Sequence, residues 1–366
     1  MKIRDFTVNS ILVGASTLLG FLIINQALVY LSSNNSQRHG FPRNYLRYLE
    51  PVARWKYPDF NNSKTKQDAT FIVGDSYAEG AGDSFLSNEY NYSIGHFFNN
   101  EYRENTNIYY VANSGSSIPQ QLILLKMHIS GKLKPLSVPP KKFKALNIIL
   151  YFYEGNDLED TATSKLLPYQ SWKHRFRLYF PIIYAGHEAL RDLKGIFSQS
   201  ESNSLSSPSN VNKICIGTTC RDMSPMQSAS AGLSEKQISN EISYLADSVK
   251  EFSLEYPKAK MCFVYIPSPS TIYSPKGWFY YQKYPIHLLP SDIKTTAELN
   301  NSKSLLIRKM LRNRLDLNSI IFIDSTNNLK REALKGFLHG TIDQKHFTAN
   351  GYRLIADATA QGCPID

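Results

Sequence analysis

Ser76 and His346 are the residues of this chain whose types and surroundings best suit them to chemistry. The serine lies in Phe71-Ile-Val-Gly-Asp-Ser-Tyr77, near the start; the histidine lies in Asp343-Gln-Lys-His-Phe-Thr-Ala-Asn-Gly351, near the end. A serine hydroxyl is a poor nucleophile at its own pKa and needs an adjacent base, which an imidazole supplies. A carboxylate three residues earlier, here Asp343, can hold that imidazole in one tautomer. This is the inventory for acyl transfer through a serine. The tetrahedral oxyanion of such a reaction needs donors. The backbone N–H of Ser76, the backbone N–H of Gly115 in Asn113-Ser-Gly115, and the side-chain amide of Asn156 in Gly155-Asn-Asp157 could provide three. A glycine at 115 permits close approach of backbone to substrate. Singly, each motif is also an ordinary turn or a capped helix start, and Gly-Asn-Asp is a good turn sequence. Their order and placement give them meaning, so the intervening chain must build a fold that brings them to one rim.

The elements that could do so alternate. Ala69–Val73, Ile108–Ala112, Ala145–Tyr153, Lys260–Ile266 and Ser319–Asp324 read as five strands, the third an uninterrupted apolar run suited to the centre of a sheet. Helices are expected in part over Ser84–Glu101, then over Pro119–Ile129, Ser234–Tyr256, Leu305–Arg314 and Asn350–Gln361. In the third of these, Ile238, Ile242, Leu245, Val249 and Phe252 recur at helical spacing. Strands alternating with helices predict a doubly wound parallel sheet covered on both faces. Ser76, Gly115 and Asn156 then each follow a strand, and Asp343 with His346 lies in the loop between the fifth strand and the last helix.

Two stretches break the rhythm. Residues 160–232 carry aromatic and basic segments, then the Ser-rich run Ser198–Ser209, and read as an insertion with a polar surface section. Pro267–Pro290 leaves the carboxyl end of the fourth strand, where α/β sheets place their ligands. There Tyr273 and Trp278 could form a substrate wall or simply pack their own loop.

With 366 residues, the chain suits one enlarged domain plus appendages. Phe6–Leu31 contains no charged residue and is long enough to span a hydrocarbon layer of about 30 Å as a helix. Asn25–Leu31 offers no clean pair of small residues for signal cleavage, which favours an uncleaved anchor over residues 1–32. A polar tether over 33–66 and a catalytic domain over 67–366 then follow. Lys2 and Arg4 on one side face Arg38, Arg43 and Arg47 on the other, so flanking charge does not decide orientation. The net charge of +10 is scattered, with Lys132, Lys134, Lys141, Lys142 and Lys144 as its densest run. That run reads as a solvated face, and no nucleic-acid-binding motif accompanies it. Cys215 and Cys220 close a short loop that suits a disulfide better than a metal site. Cys262 begins a strand and Cys363 follows the last helix, so these two could meet at the amino-terminal side of the sheet. Four free cysteines remain the alternative; two disulfides would place the domain in an oxidising compartment.

On its four blocks, Gly74-Asp75-Ser76, Gly115, Gly155-Asn156-Asp157 and Asp343-x-x-His346, the chain resembles the SGNH hydrolase superfamily, which includes the GDSL lipases and esterases. The resemblance covers roughly residues 70–360, leaving out the long insertion after Asp157. Gly74–Gly82, Tyr151–Leu158 and His346–Gly351 look like bacterial membrane-anchored members associated with the cell envelope. The resemblance implies a flavodoxin-like three-layer α/β/α sandwich with a five-stranded parallel sheet, no metal or other cofactor, and an acyl-serine intermediate. It would make Ser76 the nucleophile, His346 the base, Asp343 its orienter, and Gly115 and Asn156 oxyanion donors. Tyr77 departs from the Leu of the GDSL motif. The expected activity is removal of an acyl group, most plausibly acetyl, from an envelope carbohydrate at the bacterial inner membrane, with the domain on the periplasmic side. The same triad would serve an O-acyltransferase that passes the group to a glycan hydroxyl. A catalytically idle glycan-binding or assembly subunit is a third reading, which would have no need for both Ser76 and His346.

Overall fold

The structure, a computed structural model, describes residues 14–24, 69–82, 107–112, 115–130, 146–164, 213–223, 226–230, 232–275, 278–281, 293–318, 320–341 and 343–364, with residues 94, 97 and 98. The chain divides into two compact units, Met1–Tyr57 with Gln170–Leu205, and Pro58–Tyr169 with Ser206–Asp366. Of the first unit, only an exposed apolar helix over residues 14–24 is described. Among the described residues no helix is long and apolar enough to cross a membrane. The tether expected over 33–66, most of the helix expected over 84–101 and the Ser-rich section of the insertion lie outside the described residues.

The second unit is built on a five-stranded sheet. In chain order its elements begin with β1 (Ala69–Gly74), α1 (Ser76–Glu79), β2 (Asn107–Ala112), α2 (Ile118–Ile129), β3 (Leu146–Tyr153) and α3 (Asp157–Ser164). A hairpin of β4 (Lys213–Ile216) and β5 (Thr219–Asp222) precedes α4 (Glu235–Glu255), β6 (Ala259–Ile266) and the short α5 (Pro269–Tyr273). A second hairpin, β7 (Trp278–Tyr281) and β8 (Ile293–Thr296), leads into α6 (Ala297–Asp316), β9 (Ile321–Asp324), α7 (Thr326–Ala333) and α8 (Ala349–Gly362). The main sheet has the order β2-β1-β3-β6-β9, with every pairing parallel. Counting only its own strands, this is the 2-1-3-4-5 order of flavodoxin-like sheets.

Period-two alternation along β3 assigns the two covered faces. Phe152 and its register partner Tyr265 stack with ring centroids 5.7 Å apart, and Tyr265 reaches Ser304 of α6 at 3.3 Å. Tyr151 points the other way and its hydroxyl lies 3.0 Å from Thr359 Oγ1 of α8. A strand covered on both faces has no solvent side, which is why Ile148 to Tyr153 are all buried and read as one apolar run. Helix α4 opens with a capping box between Ser234 and Gln237, and it buries the five apolar residues that mark its period.

Helix α6 starts eight residues before the Leu305 expected from apolar spacing. Its first turns bury Asn300 and Ser304, which are polar, so no apolar period announces them. Asn300 Oδ1 accepts from Ala229 N at 2.9 Å and from Ser270 Oγ at 3.0 Å, while its amide donates to Thr271 Oγ1 at 3.0 Å. A buried amide satisfied on both ends packs as well as an apolar residue.

The structure pairs Cys215 with Cys220 across the β4–β5 hairpin, and Cys262 on β6 with Cys363 just past α8. The end of the expected insertion packs on the second unit: Ile214, Met223 and Met226 form a buried cluster with Tyr273 and Phe337 against it.

Candidate active site

The serine is presented by a sharp strand-to-helix corner. After Gly74, Asp75 caps α1 with its carboxylate, Oδ1 accepting from Tyr77 N at 2.9 Å, and Ser76 takes the first helical position. The Ser76 N–H therefore has no acceptor within its own helix. A Cβ on Gly74 would lie 2.6 Å from Ala78 Cβ and 2.9 Å from Tyr151 O, so only glycine allows the corner to close against β3. Gly82, at φ 143°, serves the other end: a Cβ there would lie 2.7 Å from the carbonyl oxygen of Phe347, beside the histidine.

His346 meets Ser76 across the whole length of the sequence. Its Nε2 is 2.8 Å from Ser76 Oγ, and its Nδ1 is 2.6 Å from Asp343 Oδ2. A carboxylate only accepts, so Nδ1 carries the proton and Nε2 is left to accept the serine hydroxyl. The second Asp343 oxygen accepts from Lys345 N at 3.1 Å. Burial pushes Asp343 up, but the bond to His346, its charge and the backbone amides outweigh it and hold the carboxyl below its usual range. An ionised Asp343 is what the tautomer requires.

Tyr77, fully buried, locks the two segments together. Its ring stacks on Tyr153 with centroids 4.0 Å apart and lies 5.0 Å from the His346 ring and 5.2 Å from that of Phe347. Its hydroxyl donates to the carbonyl oxygen of Lys345, the residue before the base. The sequence offers only a hint of this role, the tyrosine where GDSL proteins have leucine.

Beneath the serine lies a group of buried acids. Asp75 Oδ2 is 3.3 Å from Ser76 Oγ, and burial raises the Asp75 pKa against the pull of its hydrogen bonds and of His346. Burial, then the charge of Asp75, pushes Asp157 well up; its Oδ2 accepts from Tyr153 N at 2.8 Å. Among the described residues no such group is arranged to hold a metal ion.

The oxyanion candidates are placed unequally. Gly115 sits in the turn beyond β2 at φ 70°, a left-handed conformation that favours glycine. Asn156 meets a competitor for its donor role: its side-chain amide donates to Asp160 Oδ2 at 2.6 Å. A charged acceptor makes that bond a strong one, and Asp75, Asp157 and Glu159 lie buried as well. Tyr273 departs from the substrate-wall reading: its hydroxyl turns inward to the backbone N–H groups of Leu338 and His339. Trp278 opens β7, and its side chain lies outside the described positions.

His339, buried beside this site, links the fold to pH. Burial, then the charge of His346, pushes its pKa down to about 3, with Asp343 pulling the other way. The unfolded chain, where histidine titrates near about 6.5, binds more protons between those two values. Its stabilising contribution is therefore complete above pH 6.5 and is lost as pH falls toward 3. Glu159, which burial pushes up to about 7, acts with the opposite sign, contributing fully below pH 4.5 and losing that contribution as pH rises through 7. Urea unfolding at pH 7 and pH 4.5 separates them. Acidification is expected to cost the unaltered chain about 2 kcal/mol more than a His339→Gln variant. Equal costs would show that solvent reaches the imidazole in the folded chain.

No protein-family model and no curated protein matches this sequence. Among solved structures, the chain is similar to the acetylxylan esterase Axe2 from Geobacillus stearothermophilus, at 10% identity over 82% of this chain and 96% of that one, with a TM-score of 0.36. It is similar to the extracellular lipase from Streptomyces rimosus, at 13% identity over 81% and 99%, with a TM-score of 0.38. A third is a protein from Slackia heliotrinireducens assigned to the SGNH hydrolases, at 10% identity over 81% and 99%, with a TM-score of 0.33. At these identities and TM-scores, the chemistry rests on the side chains themselves: an N–H-bearing Nδ1 held by Asp343 and an accepting Nε2 within hydrogen-bond reach of Ser76.

Proposed function

We propose that the protein is a serine esterase of the SGNH type that removes an acyl group, most plausibly acetyl, from a carbohydrate of the bacterial envelope. The observation that carries this is the continuous Ser76–His346–Asp343 contact, 2.8 Å and then 2.6 Å, assembled from opposite ends of the chain. In the reading, Ser76 Oγ attacks the ester carbonyl as its proton passes to His346 Nε2, and the carbonyl π pair moves onto the oxygen. The N–H groups of Ser76 and Gly115 serve that oxyanion. Collapse breaks the bond to the sugar oxygen, which leaves with the proton returned by His346. Water, deprotonated by the same imidazole, then frees the carboxylic acid and restores Ser76. Asp343 stays ionised and stabilises the imidazolium.

The location belongs to the same reading. The uncharged run Phe6–Leu31 supports a single-pass anchor in the inner membrane, and two disulfides support an extracytoplasmic domain.

A fluorophosphonate probe tests the reading on the unaltered chain. One covalent label, located by mass spectrometry on Ser76, is the expected result. Folded protein that takes no label would instead support an idle binding subunit. Incubating a labelled acetyl donor with a glycan acceptor then separates the products: free acetate supports hydrolysis, and acetylated glycan would move the assignment to an O-acyltransferase.

A further inference from the structure

We infer that Tyr273, together with Arg221 of the disulfide-closed β4–β5 hairpin, is a positioning residue for His346 and acts through the strap 338–340. The inference rests on the proposed role of His346 as the base. His346 belongs to neither a helix nor a strand; it lies in a turn-rich loop between α7 and α8. An imidazole must nevertheless be held to about 0.5 Å for proton transfer.

The strap supplies that constraint directly. His339 and Phe347 form an isolated antiparallel bridge, Gly340 N donates to His346 O at 3.1 Å, and Thr348 N donates to Leu338 O at 2.7 Å. The carbonyl of the base and both of its following residues are thus tied to 338–340. A one-residue bridge is weak by itself and needs a fixed partner.

Tyr273, at the end of α5, fixes it. Its hydroxyl accepts from Leu338 N at 2.9 Å and from His339 N at 3.3 Å, and it lies 2.9 Å from His339 Nδ1. The hydroxyl has one proton, which goes to Nδ1, so its full capacity is used on the strap. The hairpin adds a second hold. Arg221 Nη1 donates to His339 O at 3.3 Å, and its guanidinium lies 4.4 Å from the centre of the Phe337 ring. Ile214 and Met223 at the hairpin pack with Tyr273 and Phe337. A two-stranded hairpin is marginal alone, and Cys215–Cys220 closes this one.

Three variants of the full chain test the inference: Tyr273→Phe, which keeps the ring; Arg221→Gln; and the paired Cys215→Ser, Cys220→Ser. Turnover of a chromogenic acetyl ester is measured together with the strongly deshielded proton resonance of the His346–Asp343 bond. Tyr273→Phe is expected to lower kcat by about 10- to 100-fold with KM unchanged, and to broaden or shift that resonance. Arg221→Gln and the paired serine variant are expected to lower kcat by about threefold to tenfold in the same pattern. Folded Tyr273→Phe and Arg221→Gln with kcat within about twofold of the unaltered chain and an unmoved resonance would overturn it. So would losses that only track the folded fraction, or a failure of all three to fold, because the contacts would then serve the fold and not the base. Failure of the esterase reading itself is distinguishable, since it appears in the unaltered chain as absent turnover and absent fluorophosphonate labelling.

Discussion

Ser76→Ala is expected to lower kcat toward a chromogenic acetyl ester by about a millionfold, while circular dichroism and the thermal midpoint stay close to those of the unaltered chain. The asymmetry follows from the geometry. Ser76 is only partly buried, and its hydroxyl lies against His346 Nε2 and, more distantly, Asp75, so its loss costs the fold about 1 kcal/mol. The reaction, by contrast, loses its nucleophile. His346→Ala is expected to cost nearly as much, and the double variant no more than either, because the residues act as a unit. Asp343→Asn is expected to lose about 10,000-fold: an amide can donate to Nδ1, which places the imidazole proton on Nε2 facing the serine. Substantial turnover by Ser76→Ala, or multiplicative losses in the double variant, would show that another group does the chemistry.

Glu154→Ala is expected to destabilise the fold by about 3 to 5 kcal/mol, read from urea unfolding. Glu154 is fully buried immediately after β3. Its Oε1 accepts from Ser268 N at 2.8 Å, Ser268 Oγ at 2.6 Å and Thr271 Oγ1, and its Oε2 from Ser304 Oγ at 2.7 Å and Tyr265 OH. One carboxylate thus joins β3, β6, α5 and α6. Its removal leaves several buried hydroxyls facing a cavity, each costing about 1 to 3 kcal/mol when unpaired. Glu154→Gln keeps the Oε1 acceptor and sets an amide donor against Ser304 and Tyr265, so about half of the loss is expected. A loss below about 1 kcal/mol for the alanine variant would mean that water or the hydroxyls themselves restore the bonds.

Legibility in the sequence followed the physics of each segment. The strands β1, β3 and β6 were readable because a strand covered on both faces must be apolar throughout, and α4 because its core face is apolar at every helical turn. The start of α6 was not, since Asn300 and Ser304 replace apolar burial by hydrogen bonds whose partners come from distant segments. Helix α7 and the β4–β5 hairpin escaped for a related reason: each is short, and long-range packing outweighs its local pattern. The place of Asn156 after β3 suggests an oxyanion donor, and its bond to Asp160 depends on how the folded turn is closed.

The pair Ser76 and Asp343/His346 shows the division most clearly. The order of residues alone settles which groups are present and predicts the alternating strands and helices that would carry them to one end of a parallel sheet, since those follow from local periodicity and side-chain chemistry. Folding in three dimensions decides that Nε2 comes within 2.8 Å of the serine, that Tyr77 ties the nucleophile corner to the base loop, and that Tyr273 faces inward. These depend on contacts between residues far apart in the chain, whose directions are set by the packing of the whole sheet and its helices.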